Sequence, residues 1–180
     1  MTVVGVHLAG CAVLLVAGVA KLLRPDELAS ALARWLRSSG SLATGVVRVL
    51  AATEVALGCA GTVRPGGVAA ALVALSYASF TAYVWVLRRA GAAVSSCGCF
   101  GEPDTPATRA HVAVTAMFAL ASAGVASSGS GGLGTVLDGQ PAAGVPLLLS
   151  AAVVAGLALL VLTRHAEVQA VRALYAEGAP

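Results

Sequence analysis

The chain has 180 residues, of which 58% are hydrophobic and 11% are charged, and its mean hydropathy is +0.90. Soluble globular domains carry about 25% charged residues, so this composition excludes a water-soluble globule and predicts an integral membrane protein. The formal net charge is +3, and the arginines are spread along the loops without forming a basic face, which argues against a nucleic-acid partner.

Five apolar segments are long enough to cross a bilayer as helices, which takes about 20 residues each. The predicted spans are residues 3–23, 42–63, 67–87, 110–127 and 145–163. The sequence therefore predicts an all-α integral membrane helical bundle, with a four-span core and a fifth C-terminal span. The core would occupy residues 1–128, and residues 129–180 would hold a Gly/Ser-rich loop, the fifth span and a short amphipathic tail.

A sixth, amphipathic helix is predicted between the first two spans, over residues 25–39. Pro25 and Asp26 are typical of a helix start. Apolar side chains then recur at helical spacing, at Leu28, Leu32, Trp35 and Leu36. This pattern indicates a helix that lies in the membrane interface, with the tryptophan at the level of the lipid headgroups.

The basic residues predict an orientation in the cell membrane. With five spans, one side collects ten of them and the other only Arg64; the ten are Lys21, Arg24, Arg34, Arg37, Arg48, Arg88, Arg89, Arg109, Arg164 and Arg172. The N-terminus is therefore expected outside and the C-terminus in the cytoplasm. The same rule places the loop between the third and fourth spans on the cytoplasmic side.

That loop contains two cysteines one residue apart, Cys97 and Cys99, within Cys-Gly-Cys-Phe-Gly. The surrounding residues are polar and rich in turn formers, so the thiols are expected to be accessible, and the nearby arginines favour the reactive thiolate. A disulfide within Cys-X-Cys closes a small strained ring, which suits exchange better than a structural bridge. Two other interpretations stay open: the pair binds copper or zinc together with His111, or it is reduced and inert.

Several polar residues lie inside the predicted spans. Glu54 lies near the middle of the second span, where an ionisable group handles protons or pairs between helices. Tyr77 should lie at similar depth and is a possible partner. Lys21 and Arg48 either reach toward Glu54 or extend to the surface, and the second behaviour is favoured slightly.

Two further features of the spans bear on redox chemistry. Cys11 and Cys59 fall in the outer half of the membrane, where they are either a secondary thiol pair or, as favoured here, small core residues. The third span carries Tyr77, Phe80, Tyr83 and Trp85. Such rings next to a dithiol could form a flat pocket for a quinone, whereas Tyr83 and Trp85 are more simply explained as an interfacial belt.

The chain resembles the methylamine utilisation protein MauE family, which is related to the DoxX-like membrane proteins. The resemblance rests on Ala-Gly-Val-Ala-Lys-Leu at residues 17–22, on Glu54, on the aromatic third span, and on Ser-Cys-Gly-Cys-Phe-Gly at residues 96–101. It implies a small helical bundle that helps a disulfide-rich exported protein, a methylamine dehydrogenase subunit, to mature with a thioredoxin-like partner. It also implies that Cys97 and Cys99 are the redox pair and that Lys21 and Glu54 are characteristic bundle residues.

The sequence thus favours a membrane thiol–disulfide redox protein that acts on an exported client, and such an activity would make it a thiol–disulfide oxidoreductase. The alternative is a non-enzymatic membrane assembly factor, or a copper or zinc protein, that uses the same Cys-Gly-Cys pair. One expectation conflicts with the first function: oxidation of an exported client needs the dithiol outside, whereas the charge rule places it inside.

Overall fold

The computed structural model describes residues 2–36, 39–64, 67–89, 108–128 and 141–177. Within these ranges the chain forms helices α1 (Thr2–Leu23), α2 (Pro25–Leu36), α3 (Gly40–Val63), α4 (Gly67–Arg89), α5 (Arg109–Ser128) and α6 (Pro141–Glu177). The described residues form no strand.

Five of these helices are long and apolar enough to cross a membrane, which confirms the predicted all-α membrane bundle. Their candidate spans are Val3–Leu23, Gly40–Val63, Gly67–Val86, Arg109–Ser128 and Gly144–Thr163, each within a few residues of the prediction. Many large apolar side chains on the outer faces of the bundle are exposed, as expected for a surface in contact with lipid. The chain is therefore a multi-pass membrane protein.

Helix α1 lies at the centre of the bundle, since it packs against α3, α5 and α6. More than half of its apolar stretch is buried, against about a quarter in the other spans. The core cluster joins α1 to α4, α5 and α6 through residues such as Leu14, Val73, Phe118 and Leu162. The fifth span thus shares a core cluster with the first, and the division into a core of residues 1–128 and an added part of residues 129–180 stays a prediction.

The amphipathic helix α2 is confirmed over Pro25–Leu36. Ala29 is buried, and it forms a small second cluster with Ala43 and Val47 of α3. Leu28 and Leu32 pack against this cluster. The apolar face of α2 therefore rests at least partly on the start of α3, and the side chains of Trp35 and Leu36 lie outside the described residues.

Contacts between the helices fix their directions. The α1 residue Lys21 meets Glu54 of α3, while Cys11 lies beside Gly61, so α1 and α3 are antiparallel. His7 meets Ser122 of α5 and Gly10 lies beside Phe118, so α5 is also antiparallel to α1. We call the end of the bundle where α1 and α4 end and α5 begins the loop end, because residues 90–107 connect α4 and α5 there.

Candidate functional site

A buried ion pair joins α1 to α3 toward the loop end. Lys21 Nζ donates a hydrogen bond to Glu54 Oε1 over 2.5 Å, and the two side chains are 3% and 2% exposed. The slight preference for Lys21 extending to the surface is therefore wrong, because Glu54 offers the ammonium a partner inside the bundle. Arg48 is exposed, unlike Lys21.

Glycines let α1 and α3 approach closely enough for this pair to form. A Cβ atom at Gly18 would lie 2.8 Å from the Ala51 carbonyl oxygen, and one at Gly58 would lie 2.9 Å from the Cys11 carbonyl oxygen. Real Cβ atoms essentially never come so close to backbone atoms. Small residues at helix contacts are the usual means by which membrane helices approach one another.

The second carboxylate oxygen of the pair is unusual. Glu54 Oε2 is buried and has no hydrogen-bond partner among the described protein groups. A buried polar atom without a partner is costly, and it is costlier when it belongs to a charged group. Among the described residues, the hydrogen bond from Lys21 to Oε1 is therefore the one that stabilises this buried carboxylate.

Tyr77 does not bind Glu54, in contrast to the possibility raised from the sequence. Its hydroxyl donates to the Gly10 carbonyl oxygen of α1 over 2.6 Å, and the side chain is buried. Its ring lies 6.2 Å from that of Phe80 and 5.1 Å from that of Phe118, measured between centroids. Tyr77 thus anchors an aromatic cluster that links α4, α1 and α5.

A small cavity lies beside the ion pair, among α1, α4, α5 and α6. Its volume is about 40 Å³. The walls are almost entirely apolar and include the rings of Tyr77 and Phe80, with Lys21, His111 and Thr115 as the polar members. The Lys21 ammonium also lies 5.2 Å from the centre of the Phe80 ring, which is within the range of a cation–π interaction.

His111 lies in the first turn of α5 and is buried. Its Nδ1 atom is 2.8 Å from the Thr108 hydroxyl oxygen, which fixes the ring at the start of the helix. The structure therefore places His111 against the cavity at the loop end. Within the described ranges there is no group of three or more metal-ligating side chains.

The predicted redox pair, Cys97 and Cys99, lies outside the described residues, in the 90–107 segment. The helices on either side of this segment are described: α4 ends at Arg89 before it, and α5 begins at Arg109 after it. Arg89 lies over the Trp85 ring, with its Cζ atom 4.8 Å from the ring centre. Arg88, Arg89 and Arg109 therefore flank the two attachment points of the dithiol segment.

The other two cysteines are free thiols in different environments. Cys11 is buried, whereas Cys59 is exposed on α3. The Cys11 Sγ atom lies 3.6 Å from His7 Nε2. A role for them as secondary thiols stays a prediction.

Sequence reasoning missed a second polar cluster, at the end opposite the loop end. His7 is fully buried, and its Nδ1 lies 2.9 Å from the Ser122 hydroxyl oxygen. Its Nε2 lies 3.3 Å from the Gly61 carbonyl oxygen. The available signal was a histidine within an apolar span, four residues before Cys11 on the same helical face.

The comparison with protein families bears directly on this arrangement. The family described as methylamine utilisation protein MauE matches residues 1–128. The chain belongs to the MauE family. The matched range contains α1 to α5, the Lys21–Glu54 pair and the Cys97–Cys99 segment. Membership supports a membrane protein involved in methylamine utilisation. No curated protein and no solved structure matches the chain.

Proposed function

We propose that this MauE-family protein is a membrane thiol–disulfide redox protein that supports disulfide formation in an exported client. Cys97 and Cys99 would be the exchanging thiols, and a thioredoxin-like protein would be the partner. The observation that carries the proposal is the Cys-Gly-Cys sequence between two membrane-spanning helices, within the range matched by the family.

The exchange would proceed through a mixed disulfide. One thiolate of the pair attacks a partner disulfide, forms a bond to one partner sulfur and releases the other as a thiolate. The second thiolate of the pair then attacks the mixed disulfide, which leaves a Cys97–Cys99 disulfide and a reduced partner. In the reverse direction, the Cys97–Cys99 disulfide takes two electrons from a client dithiol and leaves the client oxidised.

The electrostatics of the helix ends support this chemistry. Arg88 and Arg89 end α4, and Arg109 begins α5, so cationic side chains flank both attachments of the segment. Cationic side chains near a cysteine favour the thiolate, which is the nucleophile in exchange. A pair of thiols held at a cationic membrane surface is suited to exchange with a soluble partner.

The orientation is part of the proposal. The charge rule favours an external N-terminus and a cytoplasmic C-terminus, because one side of the membrane carries nearly all the Lys and Arg residues. In that orientation the pair exchanges with cytoplasmic thiols, and its electrons must be passed on before they can affect an exported client. In the opposite orientation it oxidises the client directly.

Labelling with a membrane-impermeant thiol reagent tests the site and its side together. The variant Cys11→Ala/Cys59→Ala retains Cys97 and Cys99 as the only thiols, and adding Cys97→Ser and Cys99→Ser gives the matched control. Labelling of intact cells only after mild reduction means an external, oxidised pair. Labelling only after lysis means an internal pair.

Trapping tests the exchange itself. In the single variants Cys99→Ser and Cys97→Ser, the second thiol that would resolve a mixed disulfide is missing. A mixed disulfide with a thioredoxin-like protein should therefore accumulate in one of the two variants. Absence of any mixed disulfide from both variants, with client maturation unchanged in the double serine variant, contradicts the proposal. Copper or zinc bound in proportion to the purified protein, and lost from the double serine variant, supports the alternative of a metal-binding assembly factor.

A further inference from the structure

We propose that the open groove between α4 and α5, on the outer surface of the bundle, binds an anionic phospholipid whose phosphate lies between Arg89 and Arg109. The site uses no cysteine, and it is therefore independent of the thiol–disulfide function proposed above. The apolar walls of the groove, the two arginines at its loop end and the tryptophan beside them carry the proposal.

The walls of the groove suit an acyl chain. The groove has a volume of about 460 Å³, within the range of small-molecule sites, and it is open along its side. Its lining is almost entirely apolar and consists mainly of small side chains from the two helices, among them Ala78, Ala82, Ala116 and Ala119. Thr81 also lines the groove, but its hydroxyl already donates to the Tyr77 carbonyl oxygen over 2.7 Å. The groove therefore presents an apolar surface to the lipid beside it.

The wall formed by α4 ends in a cationic residue. Successive intervals of four, three and four residues place four side chains on one face of this helix: Ala78, Ala82, Trp85 and Arg89. Arg89 is exposed, and its Cζ atom lies 4.8 Å from the centre of the Trp85 ring, within the range of a cation–π interaction. Since Trp85 lines the groove, the guanidinium of Arg89 lies at the loop end of the groove.

Helix α5 brings a second arginine to the same end. The same intervals of four, three and four residues place four of its side chains on one face: Arg109, Ala113, Ala116 and Leu120. Arg109 is exposed, and Ala116 and Leu120 line the groove. Because α4 ends and α5 begins at the loop end, the groove is cationic at that end and apolar toward the middle of the membrane.

This division matches the two parts of an anionic phospholipid. Guanidinium groups stay charged and bind phosphate through paired N–H donors. Tryptophan concentrates at the headgroup level of membranes, so Trp85 marks the depth at which the phosphate lies. An acyl chain that extends from that depth toward the midplane would pass Ala82 and Ala78. Basic pockets between membrane helices are known to bind the headgroups of anionic lipids.

The charges favour a lipid over another membrane helix as the occupant. Helices α4 and α5 contain no Asp or Glu, so neither helix supplies a counter-charge for Arg89 and Arg109. A partner helix would need an acidic side chain at this depth, whereas every phospholipid of the bilayer carries a phosphate there. Two cations at one end of the groove select an anionic headgroup over a zwitterionic one.

The test uses the full chain, purified in a mild non-ionic detergent and followed by native mass spectrometry during titration with one lipid at a time. The probes are dioleoylphosphatidylglycerol, which is anionic, and dioleoylphosphatidylcholine, which has the same acyl chains and no net charge. The unaltered protein should bind the anionic lipid about 5- to 30-fold more tightly, because each arginine near the membrane surface contributes a factor of about five.

Variants of the groove locate the site. Arg89→Gln/Arg109→Gln should abolish the preference for the anionic lipid, whereas Arg48→Gln, which removes an exposed charge from α3, should retain it.

Ala78→Leu/Ala82→Leu fills the groove and should weaken the binding of both lipids. Both positions are exposed, so the added side chains do not disturb the core, and an unchanged resistance to a denaturing detergent verifies this. Ala52→Leu, at an exposed position on α3, is the matched control for added bulk and should change neither affinity.

Three results would overturn the proposal. The first is equal binding of the two lipids by the unaltered protein. The second is a preference for the anionic lipid that survives in Arg89→Gln/Arg109→Gln, or that Arg48→Gln lowers equally, since the lipid would then bind elsewhere. The third is a dimer that excludes lipid and is lost in Ala78→Leu/Ala82→Leu, which would make a second copy of the chain the occupant of the groove.

Discussion

Lys21 and Glu54, which are 33 residues apart in sequence, form a hydrogen-bonded ion pair in the interior of the bundle, where both are almost fully buried. This ion pair favours one register between α1 and α3, because each buried charge is compensated only when the two residues lie side by side. Removing one partner leaves the other charge buried and uncompensated, which is more costly than removing both.

Lys21→Met should therefore lower the free energy of unfolding by about 3 kcal/mol, and Glu54→Leu by a similar amount. The double variant Lys21→Met/Glu54→Leu should recover most of the loss, since no buried charge remains. Unfolding in mixed micelles with a denaturing detergent measures all three. Losses that simply add in the double variant would show that the two residues do not stabilise each other.

The close contact of α1 and α3 gives a second prediction. Gly18→Ala would place a methyl group 2.8 Å from the Ala51 carbonyl oxygen and an equal distance from Val55 Cγ2, so the helices must separate and stability should fall by about 1–3 kcal/mol. Gly45→Ala is the matched control on α3, because a Cβ there meets nothing within 4 Å. It should be neutral or slightly stabilising, since alanine favours helix more than glycine does. Equal effects of the two changes would contradict the described contact.

Ser122 holds the ring of His7 at the end opposite the loop end. Ser122→Ala removes the hydroxyl that lies 2.9 Å from His7 Nδ1, and it leaves a buried imidazole nitrogen without this partner. The expected loss is about 1–2 kcal/mol in the free energy of unfolding. Ser127→Ala, at an exposed position on the same helix, should have little effect, and a loss as large as that at Ser122 would show that His7 is not the cause.

Cys11 and Cys59 should differ in reactivity. In a Cys97→Ser/Cys99→Ser background, a lipid-soluble maleimide should label Cys59, which is exposed, while Cys11 stays unlabelled until the protein is unfolded. Mass spectrometry of the labelled peptides separates the two. Equal labelling in the folded protein would mean that α1 and α3 separate readily, contrary to the tight glycine contacts.

Hydropathy was sufficient to predict the five spans, because the membrane requires about 20 apolar residues for each crossing. The amphipathic α2 was predicted from the helical spacing of its apolar residues after Pro25 and Asp26. The pairing of Lys21 with Glu54 was one of two alternatives raised from the sequence, and hydropathy could not decide between them because it does not say which faces of two helices meet. The same is true of Tyr77, whose partner is a backbone carbonyl that no side-chain pattern reveals.

The cavity could be foreseen only in part. The sequence drew attention to the aromatic residues of the third span, of which Tyr77 and Phe80 line the cavity while Tyr83 and Trp85 are exposed. The contribution of Lys21 from α1 and of Leu162 from α6 depends on how four helices come together. His7 was not among the predicted site residues, although a histidine inside an apolar span is itself uncommon.

Helix α6 is 37 residues long and therefore about 55 Å in length, whereas the hydrocarbon core of a bilayer is about 30 Å thick. Its span ends at Thr163, and Leu162 lines the cavity at the loop end, so the remaining residues to Glu177 extend from that same end. These residues continue the helix for about 20 Å beyond the span, at the end of the bundle to which the dithiol segment is attached. Helix α6 thus extends beyond the membrane on the same side as the connection between α4 and α5.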